Sequence, residues 1–433
     1  MCAEEPALAL RPGDGGAGGM LRSATLNPVT QSESRKLKVS SAAVKHLLRI
    51  VGIALVSWLA AADAAPATGG LFFASANDQA GGGAAVSATG WRALARGHKC
   101  DVPGRSSAIG VNINNLSFQS LNAPNLVSAI RQSGATWIRI NLFWAWTEPQ
   151  PGVFNWQAAD KGLAVLQANH INVLLTLLGP VPCWALAQKS AGTCTAPRVT
   201  VPPPGPWADF VRAAVTRYSG VVSYYEIWNE PDSRNGLDTP DNHQRLIDYR
   251  DNILIPGAQA VHAASPTAKV VAPVFATNAS WGTGPGAGLE QALALVLGGS
   301  VGRSVDIVSL HTYLPYDPVE SGRSAHSALR ALGMDERPLW LSEVGVAPGG
   351  RFADPEVYRA AQTSLIRGKL SQILADQTFD KVFWFALTDS TNRAGEHVDP
   401  FGLIDNSDYS TFAWTPRPSF TALAQLSRSN CRQ

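Results

Sequence analysis

The stretch that decides the fold is residues 224–231, with the sequence YYEIWNEP. It begins like a β-strand, because aromatic and β-branched residues favour strands, and it ends on Glu230 followed by a proline. A carboxylate at the tip of an otherwise apolar strand is costly unless it is paired or used. Residues 339–345, LWLSEVG, repeat the pattern and place Glu343 near the end of a second apolar strand. The two stretches predict a sheet with acidic chemistry at its carboxyl edge.

Outward from these two stretches, short apolar runs alternate with amphipathic helical segments from residue 107 onward. One helix is predicted at 125–132, another at 207–218, and a third begins at Asp354-Pro355, a cap followed by a first-turn proline. Eight strands are predicted, at residues 108–114, 136–143, 171–178, 222–228, 269–275, 305–312, 338–344 and 381–387. This regular order predicts one closed (β/α)8 TIM barrel, with an open doubly wound sheet as the alternative.

The amino-terminal part of the chain is typical of an export signal. Residues 35–49 are basic, residues 50–61 carry no charge, and Ala62-Asp63-Ala64 matches a cleavage pattern. The apolar run is shorter than the ~20 residues that cross a bilayer, so residues 1–64 are predicted to be a signal peptide with a long n-region, with an uncleaved anchor as the alternative. Residues 65–97 are predicted to be a flexible Gly/Ala/Ser-rich linker, and 98–433 the barrel domain. We therefore expect a periplasmic or extracellular protein.

Composition excludes several classes of partner. Hydrophobic residues make up 45% of the chain and charged residues 16%, which is typical of a large buried core. The net charge is only +2, which argues against binding to nucleic acid or to an anionic membrane surface. We expect a monomer that makes no membrane contact beyond the signal segment.

The cysteines are predicted to form disulfides, because export places them in an oxidising compartment. Four cysteines lie beyond the predicted signal, and three pairings are possible. We favour Cys183 with Cys194, as a local clip, and Cys100 with Cys431, as a staple between the two ends of the domain. No metal site is predicted, because no second cysteine or histidine lies at zinc-ligand spacing.

The two acidic motifs resemble a known group of enzymes. WNEP at residues 228–231, with SE at 342–343, is similar to clan A of the retaining glycoside hydrolases, and within it to family 39 and related bacterial exopolysaccharide glycosidases. The resemblance extends over roughly residues 105–430 and implies Glu230 as general acid/base and Glu343 as nucleophile, without a cofactor. The sequence ends after its eighth helix, without the β-sandwich of family 39 β-xylosidases, which favours an open cleft acting within a polymer over a xylosidase.

The same resemblance implies a set of substrate-binding residues. They are Arg139 beside the nucleophile, Asn229 on the sugar 2-hydroxyl, His311 and Tyr313 as a His-x-Tyr pair, and Trp384 as a sugar-stacking ring. Trp144 follows a strand and offers a flat apolar face to sugar C–H groups, although packing in the core explains it equally well. Glu226 has the same strand parity as Glu230 and is predicted to be a buried structural partner of Arg139.

These residues together predict hydrolysis of a β-linked poly- or oligosaccharide by double displacement. The reaction requires two carboxyl groups ~5–5.5 Å apart, one protonated and one ionised. Two alternatives use the same barrel: a glycan-binding protein without catalysis, and a transglycosylase that excludes water.

Overall fold

The computed structural model describes six parts of the chain: residues 106–113, 124–187, 197–276, 288–391, 397–405 and 415–432. The predicted signal peptide and linker lie outside the described residues, and so do Cys100 and Cys194. The predictions for these segments and for both disulfides therefore remain predictions.

The core of the fold is a closed barrel of eight parallel strands that pair in sequence order. The strands are β1 (Ile109–Asn112), β2 (Trp137–Phe143), β3 (Asn172–Leu178), β4 (Tyr224–Ile227), β5 (Lys269–Ala276), β6 (Ile307–Leu314), β7 (Leu339–Val346) and β8 (Lys381–Trp384). β8 pairs with β1 and closes the barrel. All eight predicted strands are confirmed, and the closed barrel rules out the open doubly wound sheet.

Helices follow the strands and surround the barrel. They are α1 (Pro124–Ser133), α2 (Gln157–Ala168), α3 (Pro204–Tyr218), α4 (Asn242–Tyr249, continued by a π-helical turn and Ile255–Ala264), α5 (Leu289–Leu297), α6 (Pro318–Ala331), α7 (Pro355–Leu365, continued by a π-helical turn and Ser371–Ala375) and α8 (Pro418–Ser429). Short helices at Trp144–Thr147 and Cys183–Ala187 follow β2 and β3. Within the described ranges, no helix has both the length and the apolar character that crossing a bilayer requires.

The start of α7 shows how the sequence sets these helices. The side chain of Asp354 accepts a hydrogen bond of 3.0 Å from the backbone N–H of Val357, which satisfies a free donor of the first turn. Pro355 follows in the first turn, where its missing N–H has no cost. α6 begins in the same way, with Asp317 accepting from Val319. The predicted cap and first-turn proline are thus confirmed.

Two apolar clusters divide the core. Alternate residues of each strand, such as Ile138 and Ile140 of β2, point outward and pack in the large cluster between barrel and helices. A smaller cluster fills the barrel interior near the amino ends of the strands. It contains Trp137, Leu174, Val271, Ile307, Trp340 and Phe383. The amino end of the barrel is therefore closed by side chains.

Polar residues replace this apolar plug one step further along the strands. In six strands, the interior residue two positions after an early inward-facing residue is polar and buried. These residues are Asn112, Arg139, Thr176, Glu226, Ser309 and Ser342. The strand period of two keeps each of them on the inner face, so the barrel carries a polar layer directly above an apolar floor.

The two ends of the described domain meet in a small antiparallel pair. Residues Ser106–Ser107 pair with Cys431–Arg432, and Ser107 lies opposite Cys431. This pairing brings the carboxyl end of the described domain beside the residues that precede the first strand.

Candidate active site

Glu343 owes its position to an irregularity in β7. The register with β6 pairs Leu310 with Leu341 but His311 with Glu343, so Ser342 is the extra residue of a β-bulge. The bulge lets the consecutive side chains of Ser342 and Glu343 both reach the barrel interior. Glu343 is buried, with its side chain only 9% exposed.

Arg139 on β2 connects the acidic groups of the barrel mouth. Its Nη1 donates to Glu343 Oε1 at 2.6 Å, and its Nε donates to Glu226 Oε2 at 2.5 Å. Its Nη2 donates to Asn229 Oδ1 at 2.8 Å. Thr176 Oγ1 also donates to Glu226, at 2.7 Å, which fixes that carboxylate from the other side. The prediction that Glu226 is a buried partner of Arg139 is confirmed.

The charge of Arg139 is secured by these partners. Burial alone would lower the pKa of the guanidinium, but the carboxylates of Glu226 and Glu343 raise that pKa above its ordinary value. Arg139 is therefore a permanent cation inside the barrel, where it can stabilise an ionised Glu343.

Glu230 lies in an unusual turn just after β4. Its backbone φ is 44°, and that of Trp228 is 74°, a region that costs a non-glycine residue ~1–3 kcal/mol. The turn is held in place because the Ser233 hydroxyl donates to the Glu230 carbonyl at 3.0 Å, and Trp228 Nε1 donates to Gly236 O at 2.7 Å. A Cβ on Gly236 would lie 1.8 Å from the Glu230 carbonyl oxygen, so only glycine fits there.

The two candidate catalytic carboxylates face each other across the mouth of the barrel. An oxygen of Glu230, an oxygen of Glu343 and a ring nitrogen of His311 all lie within 4.8 Å of one another. So close an approach of two carboxylate oxygens fits the ~5–5.5 Å carboxyl separation of retaining glycosidases better than the ≈ 6.5–9.5 Å of inverting ones. Glu230 is the more accessible of the pair, with its side chain 24% exposed.

His311 and Tyr313, two residues apart on β6, complete the contacts of the pair. His311 Nδ1 lies 2.9 Å from Glu230 Oε1, and its Nε2 lies 3.1 Å from Ser342 Oγ. The Tyr313 hydroxyl donates a short hydrogen bond to Glu343 Oε2. Burial, reinforced by Glu343, raises the pKa of Tyr313 well above its ordinary value, so this hydroxyl keeps its proton and remains a donor.

The same three groups form an arrangement that could offer ligand atoms to a metal ion. The Arg139 guanidinium lies 2.6 Å from Glu343, however, and its positive charge opposes a second cation at that carboxylate. The site chemistry therefore fits acid/base and nucleophilic work better than metal binding.

Two predicted sugar-binding residues do not reach the site. Trp384 is fully buried in the cluster between barrel and helices, because it shares strand parity with Val382, which also faces outward. Trp144 is also fully buried, and its ring stacks on Phe210 at 5.7 Å. Neither ring exposes a face to a ligand, so both assignments are wrong. Arg139, Asn229, His311 and Tyr313 do lie together with the two glutamates.

Two residues of the site were not predicted from the sequence. Asn112, at the end of β1, accepts a hydrogen bond of 3.1 Å from Arg139 Nη1 and donates to Ser342 O at 2.9 Å. Its signal is the one used for Glu230: a polar residue at the tip of an apolar strand. Phe385, next to Trp384, is partly exposed and its ring lies 5.8 Å from that of Tyr313. Three consecutive aromatic residues hide which of them faces the cavity.

Comparison with known sequences gives a partial family match. A model of glycoside hydrolase family 42, described as Beta-galactosidase, matches residues 121–196, which is less than half of the chain. No curated protein matches the sequence significantly.

Comparison with solved structures gives the same class of fold. A family 39 glycoside hydrolase from Bacteroides cellulosilyticus is 18% identical, with a TM-score of 0.51 over 75% of this chain and 64% of that one. A glucosidase from Croceicoccus marinus is 18% identical, with a TM-score of 0.55 over 75% and 68%. A xylanase from Thermotoga maritima is 15% identical, with a TM-score of 0.50 over 74% and 94%.

These matches define the class to which the barrel is similar. The identities are low, so the solved structures show the fold, and this chain spans under two thirds of the length of the Bacteroides hydrolase. The family match and the fold together confirm the resemblance to clan A of the retaining glycoside hydrolases that the two motifs predicted.

Proposed function

We propose that this protein is a retaining glycoside hydrolase that cleaves O-glycosidic bonds of a β-linked poly- or oligosaccharide. The observation that carries the proposal is the approach of Glu230 and Glu343 to within 4.8 Å across the barrel mouth. A carboxylate pair at this separation leaves room for one anomeric carbon and no water between nucleophile and sugar.

In the first step, a Glu343 oxygen attacks the anomeric carbon while Glu230 transfers its proton to the departing glycosidic oxygen. The C–O bond to the leaving group breaks, and an ester forms between sugar and Glu343. Arg139 and the Tyr313 hydroxyl hold Glu343 ionised and oriented before the attack. The greater exposure of Glu230 suits its role, because the leaving group departs on the solvent side.

In the second step, water hydrolyses the ester. Formation of the ester removes the negative charge of Glu343, which lies close to Glu230. Glu230, which gave its proton to the leaving group in the first step, is now the general base beside the ester. It can accept a proton from the attacking water, and Glu343 leaves as a carboxylate. Two inversions return the sugar to its original configuration.

The proposed substrate is a carbohydrate chain such as that of an exopolysaccharide. We further propose that the protein acts as an exported monomer without a cofactor. The support is the resemblance of residues 228–231 and 342–343 and the export pattern of residues 35–64.

Substitution of the two glutamates tests the proposal. We expect Glu343→Gln to abolish hydrolysis of those p-nitrophenyl β-glycosides that the wild type cleaves, and Glu230→Ala to regain activity with azide on the same substrates. Glu290→Gln, at an exposed position of α5, is the matched control and keeps wild-type rates. Unchanged turnover in Glu343→Gln refutes the nucleophile, and no azide rescue counts against the acid/base.

The same assay separates the two alternatives. A barrel that binds glycans without catalysis would retain polysaccharide in binding assays and release no product. A transglycosylase would form longer products as acceptor concentration rises. Hydrolysis releases free reducing sugar at every acceptor concentration.

A further inference from the structure

The loop after β2 holds an aromatic side chain outward. In the short helix Trp144–Thr147, the residues Trp144, Ala145 and Thr147 are buried, while Trp146 is 38% exposed. The Trp146 ring lies 4.3 Å from the ring of Phe143, the last residue of β2. The two ring planes are tilted by 58°, so the exposed Trp146 ring offers an apolar face that is backed by Phe143; we term this pair of rings the β2 platform.

The β2 platform is rigidly supported. Trp144 packs against Trp184 at 5.8 Å and stacks on Phe210, and its Nε1 donates to Glu148 Oε2 at 2.8 Å. The Trp184 Nε1 donates in turn to the Glu148 carbonyl at 3.0 Å. Trp144, two residues before Trp146 in the same short helix, is fixed in the core. Trp146 can therefore bind a ligand without prior ordering of the loop, which lowers the entropic cost of binding.

The β2 platform also lies above the catalytic residues on the same strand. Arg139, Asn141 and Phe143 alternate along one face of β2, the face on which Arg139 contacts Glu343. Phe143 is four residues beyond Arg139, roughly 13 Å along the strand at 3.3 Å per residue. The β2 platform thus lies beyond the span of the one sugar ring that contacts Glu343.

Asn141 lies between Arg139 and Phe143 on β2, and its side-chain amide has a hydrogen-bond acceptor without a partner among the described residues. Its Oδ1 is buried and finds no hydrogen-bond donor among the residues that the structure describes. A buried polar atom without a partner is costly, and a sugar hydroxyl entering the cleft is a donor that would satisfy it. Aromatic faces and side-chain amides are the two kinds of group that recognise the C–H faces and the hydroxyls of a sugar.

We propose that Asn141 and the β2 platform form a second sugar subsite, which binds a glycan unit remote from the cleaved bond. The inference rests on the proposed function and deepens it: the substrate is a chain of several sugar units, not a disaccharide or an aryl monoglycoside. The distant units stack on Trp146, and a hydroxyl of the chain donates to Asn141 Oδ1.

The test compares substrates of different length in the full-length protein. We would measure kcat/KM for xylo-, cello- and manno-oligosaccharides of two to six units. In Trp146→Ala, the ratio of kcat/KM for the hexasaccharide to that for the disaccharide should fall about tenfold, one step of 1.4 kcal/mol. Asn141→Ala should lower the same ratio. Val153→Ala, at an exposed position of the same loop, is the control and keeps the wild-type ratio.

A second measurement separates this inference from the proposed function. Native gels containing xylan, glucomannan or β-glucan should retard the wild-type protein more than Trp146→Ala. Retardation that depends on Trp146, without cleavage of any substrate, supports the subsite and refutes the hydrolase. Cleavage with an unchanged length ratio in both variants overturns the subsite and leaves the hydrolase standing. Absence of retardation of the wild type in every gel also overturns the subsite.

Discussion

Arg139 should be the residue whose loss destabilises the barrel most through charge alone. It is 2% exposed and lies between two carboxylates, Glu226, which is fully buried, and Glu343. Arg139→Met keeps much of the side-chain volume but leaves both carboxylates without a cation. Removal of one partner from a buried ion pair costs about 3–5 kcal/mol, so we expect the free energy of unfolding to fall by that amount.

The second substitution makes the prediction specific. Glu226→Gln, added to Arg139→Met, removes the carboxylate that is left most deeply buried, while an amide oxygen can still accept from Thr176. The double variant should therefore be about 1–2 kcal/mol more stable than the single Arg139→Met variant. A second mutation that restores stability is the signature of an unpaired buried charge.

Urea unfolding followed by tryptophan fluorescence measures these differences, with an unchanged m-value as the check on two-state behaviour. Arg212→Met is the control, because the exposed pair of Arg212 with Asp209 should contribute less than about 1 kcal/mol. If Arg139→Met unfolds at the same urea concentration as the wild type, or if the double variant is less stable than Arg139→Met alone, the explanation by an unpaired buried charge is wrong.

Three further predictions follow from single contacts. Tyr313→Phe removes a hydrogen bond to the charged Glu343, worth about 1.5–3 kcal/mol, so kcat/KM on aryl glycosides should fall about 10- to 150-fold and the urea unfolding midpoint should fall as well. Gly236→Ala should lower stability by about 1–3 kcal/mol and also impair activity, whereas Gly220→Ala, where no atom lies within 4 Å of the added carbon, should do neither in the same assays. A hydrogen bond from Arg217 lowers the pKa of Asp160 below its ordinary value of 3.8, so the Asp160 carboxylate stabilises the fold at neutral pH and loses that contribution as the pH falls through its lowered pKa. The difference in unfolding free energy between wild type and Asp160→Asn, from urea titrations at several pH values, should therefore shrink on acidification. A difference that stays constant with pH would contradict this prediction.

The barrel was predictable because its strands differ from its helices in hydrophobic period. Each predicted strand overlaps the observed strand, and only the end residues differ. The polar residues of the site were predictable for a related reason. Glu226, Glu230 and Glu343 are acidic residues at or near the ends of apolar strands, where burial has a cost that only a partner or a reaction offsets.

The aromatic residues were not predictable in the same way. A tryptophan stabilises a core as readily as it binds a sugar, and the sequence around Trp144 and Trp384 is apolar in either case. Burial of Trp144 leaves the exposed position to Trp146, two residues later. Strand parity with Val382 turns Trp384 outward and leaves Phe385 beside Tyr313. The bulge at Ser342 likewise depends on pairing between strands, which no local pattern encodes.

The assignment of Glu343 as nucleophile depends on its separation from Glu230, and the stereochemistry of the reaction is the most direct test of that assignment. Proton NMR of a cleaved β-glycoside, recorded before mutarotation, shows the configuration of the first product. We predict a β-anomer as the first product, because carboxylate oxygens within 4.8 Å of each other favour attack by Glu343 itself. A first-formed α-anomer would mean that water attacks directly, and would contradict the assignment of Glu343 as nucleophile.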